Sequence, residues 1–125
     1  MKKLLLLVLV IPLIFLVSCG NSTFEVITAS VAKDMMDNNS SIVLVDVREL
    51  SEYKKEHISG ATLLPLGDIE NKASNVIPDK TKTYIVYCQS GNRSNEASQQ
   101  LVELGYESVF DMGGIIDWPY AKVSS

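Results

Sequence analysis

The sequence predicts a single α/β domain with a mostly parallel central sheet and helices on both faces of that sheet. Three observations lead to this prediction. Short, wholly apolar runs alternate along the chain with segments whose apolar residues have helical spacing. Strands this apolar are typical of parallel sheets, because such sheets are covered on both faces. Roughly 100 residues follow the apolar N-terminal run, which is enough for one hydrophobic core.

The predicted elements follow one another in a regular order. Apolar and β-branched runs predict strands, and amphipathic or charged runs that avoid Pro and Gly predict helices. In chain order these are a strand at 24–27, a helix at 30–37, a strand at 42–45, a short charged helix at 51–56, a brief strand at 62–64, a short helix at 68–73, and strands at 84–87 and 108–110 on either side of a helix at 95–104. That last helix is expected to stop at Gly105, since glycine is the usual residue just past a helix end.

The first residues have the layout of a secretory signal peptide. Lys2 and Lys3 precede an apolar run from Leu4 to Val17. The run is too short to cross a hydrocarbon core, which takes about 20 helical residues, and Pro12 weakens it as a helix. We therefore expect a signal peptide at 1–18 rather than a membrane-spanning helix.

The segment Leu16-Val17-Ser18-Cys19-Gly20 resembles the bacterial lipoprotein signal, in which a lipidated cysteine becomes the mature N-terminus. The resemblance implies lipidation of Cys19, and an exported protein anchored by lipid to a bacterial membrane, on its periplasmic side or at the cell surface. Residues 19–23 would be a short tether, 24–120 the folded domain and 121–125 a C-terminal tail. An ordinary signal peptide or an uncleaved anchor is the alternative.

Charge and cysteine content exclude several classes of protein. The formal net charge of −4 becomes about −6 once the two leader lysines are removed, which disfavours nucleic-acid or polybasic membrane binding. Two cysteines cannot form a disulfide framework. If Cys19 is lipidated, Cys88 is an unpaired thiol outside the cytoplasm, which suggests reactivity. A Cys19–Cys88 disulfide is the competing interpretation.

The segment Cys88-Gln89-Ser90-Gly91-Asn92-Arg93 begins where an apolar strand stops and ends near a helix start. Such a loop can aim successive backbone N–H groups at its centre, and the helix adds positive potential. Helix N-termini and nearby arginines lower cysteine pKa values from about 8.5 to about 3.5–7.5, so a thiol there is expected to ionise more easily. Gly91 permits unusual backbone angles, and Arg93 is suited to binding an anion. A buried structural cysteine followed by a turn is the alternative.

Further motifs occur in order and at fitting spacings along the chain. They are Asp46-Val47-Arg48-Glu49, Glu52-Tyr53, His57-Ile58, Gly60-Ala61, Leu64-Pro65-Leu66, Gly105-Tyr106 and Met112-Gly113-Gly114-Ile115 with Trp118. With the loop at Cys88, they resemble the rhodanese (thiosulfate sulfurtransferase) homology domain over about residues 24–120. Glu56 and Ser59 depart from the glycine and proline that the family often has before Gly60, which leaves the shape of that turn open.

The resemblance implies that Cys88 takes a sulfur atom from thiosulfate or another sulfane-sulfur donor and passes it to cyanide or a thiol. The backbone amides of Gln89, Ser90, Gly91, Asn92 and Ser94 would hold the resulting persulfide, and Arg93 would bind the donor's anionic end. No cofactor and no metal are implied. The partners implied are a small sulfur-containing anion, an acceptor and the membrane, with no nucleic acid and no named protein client.

Two other functions stay open. One is a non-catalytic module that carries sulfur or docks a partner. The other is a phosphatase or arsenate reductase, but those relatives of the fold place five residues between cysteine and arginine, whereas only residues 89–92 intervene here. The shorter loop favours a single sulfur atom over an oxyanion.

Other polar residues are assigned structural roles first. Asp46 and Arg48 are candidate supporting residues at a strand end, with Asp46 expected to anchor loop backbone or pair with an arginine. His57, the only histidine, has no accompanying ligand cluster and is expected to shape a turn. Trp118 and the pair Gly113-Gly114 are expected to form a loop packed over the core.

Overall fold

A computed structural model describes residues 23–125. The predicted signal peptide at 1–18 and the predicted lipidation site Cys19 lie outside the described residues. The elements are β1 (Glu25–Val26), α1 (Ala29–Asn38), β2 (Val43–Asp46), α2 (Leu50–Lys55), β3 (His57–Ile58), β4 (Thr62–Leu63), α3 (Ile69–Val76), β5 (Thr83–Cys88), α4 (Asn92–Glu103), β6 (Ser108–Gly114) and β7 (Lys122–Val123), with single 3₁₀ turns at Leu66–Asp68 and Ile115–Asp117. Within residues 23–125, no helix combines the length and the apolar character needed to cross a membrane.

The central sheet has five strands in the order β1-β6-β5-β2-β4, and every neighbouring pair is parallel. The predicted α/β fold with a mostly parallel sheet is therefore confirmed. Since all strands run the same way, their carboxyl ends lie at one edge of the sheet, where loops after β2 and β5 meet.

The interior consists of two hydrophobic clusters, one on each face of the sheet, and successive side chains of β5 point alternately into one and the other. Tyr84, Val86 and Cys88 face one cluster, while Ile85 and Tyr87 face the other. The first cluster is covered by α3 and α4, and the second by α1 and the segment that carries the buried Trp118. Full burial of each large apolar side chain contributes about 1.5–3 kcal/mol, so both faces of the sheet are strongly held.

Helix α4 begins three residues earlier than the sequence pattern indicated. Its N-cap is Gly91, with a φ of 110°, and Asn92 is its first residue. The left-handed backbone at Gly91 turns the chain directly from the loop into the helix, which places Arg93 and Ser94 in the first helical turn. The other end agrees with the prediction, because the helix stops just before Gly105, whose φ is 96°.

The C-terminal region differs from the prediction in two places. Gly113 and Gly114 do not form a loop over the core but are the last residues of β6, in register with Tyr87 and Cys88. A shift of register between Val86 and Tyr87 lets β6 continue to that point. The residues predicted as a tail, 121–125, include β7, which pairs with β3 in a small antiparallel sheet.

Candidate active site

The site lies at the carboxyl edge of the sheet, where three strands end together. Asp46 is the last residue of β2 and is in register with Tyr87, the neighbour of Cys88 at the end of β5. On the other side, Gly114 at the end of β6 is in register with Cys88. Strand register therefore places Cys88 between Asp46 at the end of β2 and Gly114 at the end of β6.

Cys88 carries a free thiol that is almost completely enclosed. The residue is 1% exposed and lies against the apolar cluster under α4. Its Sγ accepts a hydrogen bond from the backbone N–H of Gly91 at 3.0 Å. The amide at the N-cap of α4 thus points at the sulfur, and the positive end of the helix adds to its effect on an anionic sulfur. This is one direct amide contact, fewer than the ring of amides that the sequence suggested.

The loop from Cys88 into α4 is held in shape from both ends. The hydroxyl of Ser94, which is fully buried, donates to the carbonyl oxygen of Gly91 at 3.0 Å. At the other end, the carbonyl oxygen of Gln89 accepts from the N–H of Ile116 at 3.4 Å. These two hydrogen bonds hold the loop in the conformation in which the Gly91 N–H donates to the Cys88 sulfur.

Gly114 allows the end of β6 to pack directly on this loop. A Cβ placed on Gly114 would lie 2.3 Å from the carbonyl oxygen of Gln89 and 2.7 Å from the Cα of Ser90. Those distances are far inside ordinary contact, so only glycine fits without movement. The sequence suggested no such role, because the contact joins two segments that are distant along the chain.

Arg93 forms an ion pair that sequence reasoning did not foresee. Its two Nη atoms donate to the two carboxylate oxygens of Glu52 at 2.7 and 2.8 Å. Glu52 also accepts the backbone N–H of Glu49 at 2.9 Å, as part of a capping box at the start of α2. The hydrogen bonds from Arg93, with that from Glu49, lower the pKa of Glu52 from 4.5 to about 2. The Glu49-x-x-Glu52 spacing is a local signal from which the cap could have been predicted, but no local pattern indicates the pairing with Arg93.

Asp46 and Arg48 form a buried pair beside the loop. The Arg48 side chain donates to both carboxylate oxygens of Asp46, with a shortest distance of 2.7 Å, and the pair is almost fully buried. Asp46 also accepts the backbone N–H of Arg48 at 2.9 Å, so it both anchors backbone and pairs with arginine. Arg48 further donates to the carbonyl of Glu56 at 2.7 Å and to the side-chain oxygen of Gln89 at 3.4 Å. This pair links the β2 loop to the loop after Cys88.

His57 packs against α2. Its Nδ1 lies 2.7 Å from the carbonyl oxygen of Tyr53. Because a carbonyl oxygen only accepts hydrogen bonds, Nδ1 carries the proton and donates it. The rings of His57 and Tyr53 stack with their centroids 3.7 Å apart. The following turn closes with the N–H of Ala61 donating to the carbonyl oxygen of Ile58, and Gly60 has a φ of 83°. Among residues 23–125, no three potential metal-ligating side chains come together.

The predicted loop residues therefore separate into two groups. Gly91 and Ser94 contribute to the position of the Cys88 sulfur and its amide donor. Gln89, Ser90 and Asn92 are exposed at the rim. The assembly presents an enclosed nucleophilic sulfur, an amide donor at a helix start and a paired arginine at the rim, which suits attack on a small electrophilic atom rather than binding of a large ligand.

Comparison with known proteins gives consistent matches. The profile of the rhodanese-like domain family matches residues 28–119. The chain is 38% identical over 79 residues to the thiosulfate sulfurtransferase PspE of Escherichia coli, a match that covers 63% of this chain and 76% of that protein. It is 35% identical over 98 residues to YrkF of Bacillus subtilis, provisionally named a sulfur carrier, across 78% of this chain and 52% of that protein.

Solved structures show the same similarity in three dimensions. A structure of a rhodanese with anions from E. coli superposes with a TM-score of 0.63 and 36% identity, covering 67% of this chain and 99% of that one. The family match at residues 28–119 includes Cys88 and the residues that surround it.

Proposed function

This chain belongs to the rhodanese-like domain family, and from that membership we propose that it is a sulfurtransferase that holds the transferred sulfur as a persulfide on Cys88. One observation carries the proposal: the N–H of Gly91, at the start of α4, donates to the Cys88 sulfur. A donor fixed at that position stabilises negative charge on sulfur before transfer and after it. The relatives named as thiosulfate sulfurtransferases and as a sulfur carrier support the same chemistry.

In the first step, the Cys88 thiolate attacks the outer sulfur of a donor such as thiosulfate. A sulfur–sulfur bond forms to Cys88, the bond between the outer sulfur and the sulfonate breaks, and sulfite leaves with the electron pair. The persulfide carries the single negative charge that the thiolate carried. The N–H of Gly91 and the positive end of α4 would stabilise that charge.

In the second step, a thiophilic acceptor attacks the terminal sulfur of the persulfide. Cyanide leaves as thiocyanate, or a thiol leaves as a new persulfide, and the Cys88 thiolate is restored. Because the donor product departs before the acceptor reacts, ping-pong kinetics are expected. The enclosure of Cys88, which is 1% exposed, favours small donors and acceptors over bulky ones.

The loop length supports sulfur transfer over oxyanion chemistry. Four residues lie between Cys88 and Arg93, whereas the phosphatase and arsenate reductase relatives of the fold have five. A carrier that is loaded with sulfur but turns over slowly is the second candidate, because one relative is provisionally named a sulfur carrier.

The test uses the full chain in detergent, supplied with thiosulfate and cyanide. We expect thiocyanate to form, and we expect intact-mass measurement to show one added sulfur atom on the protein when cyanide is omitted. Cys88→Ser should abolish both signals, while Cys19→Ser, which removes the other cysteine, should keep them. Loading without turnover would identify a carrier. Hydrolysis of an aryl phosphate without sulfur loading would contradict the proposal.

We also propose that Cys19 is lipidated and anchors the protein outside the cytoplasm. The support is the sequence Leu16-Val17-Ser18-Cys19-Gly20 after a positively charged, apolar leader. Mass spectrometry of the detergent-extracted protein should show an N-terminal acylated cysteine at position 19. An intact leader, or a mature N-terminus at another residue, would contradict the proposal.

A further inference from the structure

Taking sulfur transfer by Cys88 as given, we propose that Glu52 determines donor specificity: it occupies the Arg93 guanidinium and thereby makes the site select singly charged sulfur donors over doubly charged ones. Glu52 is about 31% exposed and lies at the rim with Arg93 rather than in the core. It acts through Arg93, so it is a positioning residue and not a catalytic one.

The ion pair with Glu52 occupies the edge of the Arg93 guanidinium with which an arginine binds an anion at two points. Both Nη atoms of Arg93 donate to Glu52, one to each carboxylate oxygen. This two-point arrangement is also the one by which arginine binds a sulfonate or carboxylate ligand. An incoming sulfonate therefore competes with Glu52 for the same donors.

Glu52 is held in place by more than its arginine. The backbone N–H of Glu49 donates to the carboxylate oxygen that accepts from Arg93 Nη1, within the cap of α2. The pKa of Glu52, lowered to about 2 chiefly by hydrogen bonding to Arg93, keeps it ionised at neutral pH. The competing carboxylate is therefore present whenever the enzyme works.

The other arginine near the site does not replace the lost charge. Arg48 is 3% exposed and is bound to Asp46 and to the carbonyl oxygen of Glu56. Each arginine is thus matched by a carboxylate, and the thiolate adds one negative charge. The Coulomb repulsion of a donor rises with its own charge, and it lowers the rate about fivefold per unit charge for a separation of ~4 Å in a hydrated rim.

Two donors of the same chemical class differ by one charge and allow a direct test. Thiosulfate, a dianion, gives the Cys88 persulfide and sulfite. Methanethiosulfonate, a monoanion, gives the same persulfide and methanesulfinate, because the same sulfur–sulfur bond breaks and the sulfinate leaves with the electron pair. In both reactions the total charge is conserved, and only the charge of the donor's remote end differs.

The experiment measures kcat/KM of the full chain for both donors with cyanide as acceptor. In Glu52→Gln, the value for thiosulfate should rise, mostly through a lower KM, and the ratio of thiosulfate to methanethiosulfonate should increase about fivefold. Glu103→Gln removes the same charge from the far end of α4 and should leave the ratio unchanged. Glu52→Asp keeps the charge and should keep the wild-type ratio, even if its rates fall.

Different results identify different failures. If Glu52→Gln changes both donors by the same factor, or lowers the ratio, Glu52 has only a structural role and the specificity proposal is wrong. If neither donor loads sulfur onto Cys88 in the wild-type protein, the proposed function itself fails. Sulfur loading with an unchanged donor ratio leaves the proposed function standing and removes only the role of Glu52.

Discussion

Replacing Gly114 with alanine should move the active-site loop and lower both activity and stability. The new Cβ would lie 2.3 Å from the carbonyl oxygen of Gln89 and 2.7 Å from the Cα of Ser90. Ordinary contact needs about 3.5 Å, so either the loop or the end of β6 must shift by about 1 Å. A misplacement of about 1 Å can cost ~100-fold in rate, and we expect a loss of that order in kcat/KM.

The stability cost of the same substitution should be moderate. Overpacking costs about 1–3 kcal/mol, which lowers the melting temperature of a domain of this size by about 5–20 °C. Circular dichroism melts and the thiocyanate assay at a temperature well below the transition separate the two effects. Gly67→Ala is the matched control, since no atom lies within 4 Å of its added Cβ, and it should change the free energy of unfolding by no more than about 0.5 kcal/mol.

A Gly114→Ala protein with wild-type kcat/KM and an unchanged melting temperature would refute this reasoning. It would mean that the β6 end and the loop can separate without disturbing the sulfur site. A protein that is destabilised but fully active would show that the loop returns to its position around Cys88, and that β6 does not position it.

The remaining predictions concern the two ion pairs. Asp46→Asn should lower the free energy of unfolding by about 3–5 kcal/mol in urea denaturation, because it leaves the buried Arg48 guanidinium without its carboxylate. Lys33→Gln is the control: it breaks an exposed ion pair and should cost about 0.5 kcal/mol or less. Equal costs for the two substitutions would contradict the role of burial. Because the pKa of Glu52 falls from 4.5 to about 2 on folding, its pair with Arg93 stabilises the protein above pH 4.5 and loses that contribution as the pH falls towards 2. The excess stability of wild type over Glu52→Gln is expected to be about 1 kcal/mol or less after solvent screening. It should stay constant above about pH 5 and shrink as the pH falls from 4.5 towards 2; an excess that grows on acidification would show the opposite linkage.

Both arginines near Cys88 are paired with carboxylates, Arg48 with Asp46 and Arg93 with Glu52. The rim arginine is already bound by Glu52 through both of its Nη atoms. If the proposed function is correct, attraction of an anionic donor depends on the balance between Arg93, Glu52 and the helix start at Gly91. This balance is set by side chains from α2 and α4 and can change without altering the Cys88 loop.

Local patterns were sufficient to predict the sheet and the position of Cys88 at a strand end. The apolar run before Cys88 indicated a buried strand, and Gly91 marked the turn into a helix, because only glycine adopts a φ of 110° at low cost. These signals lie within a few residues of the feature they predict. The start of α4 was placed too late because Asn92, Arg93 and Ser94 carry no apolar periodicity.

The amino-acid sequence by itself determined the five strands of the central sheet, the carboxyl ends of β2 and β5 and the loop that holds Cys88, since periodicity and backbone constraint are local properties of a chain. The tertiary structure alone decided that Arg93 meets Glu52, which lies 41 residues away, and that Gly114 lies against the backbone of Gln89. Both contacts depend on strand order and register, which bring distant segments to one edge of the sheet. The Arg93–Glu52 ion pair and the packing of Gly114 on Gln89 follow from that arrangement, so no pattern of neighbouring residues predicts them.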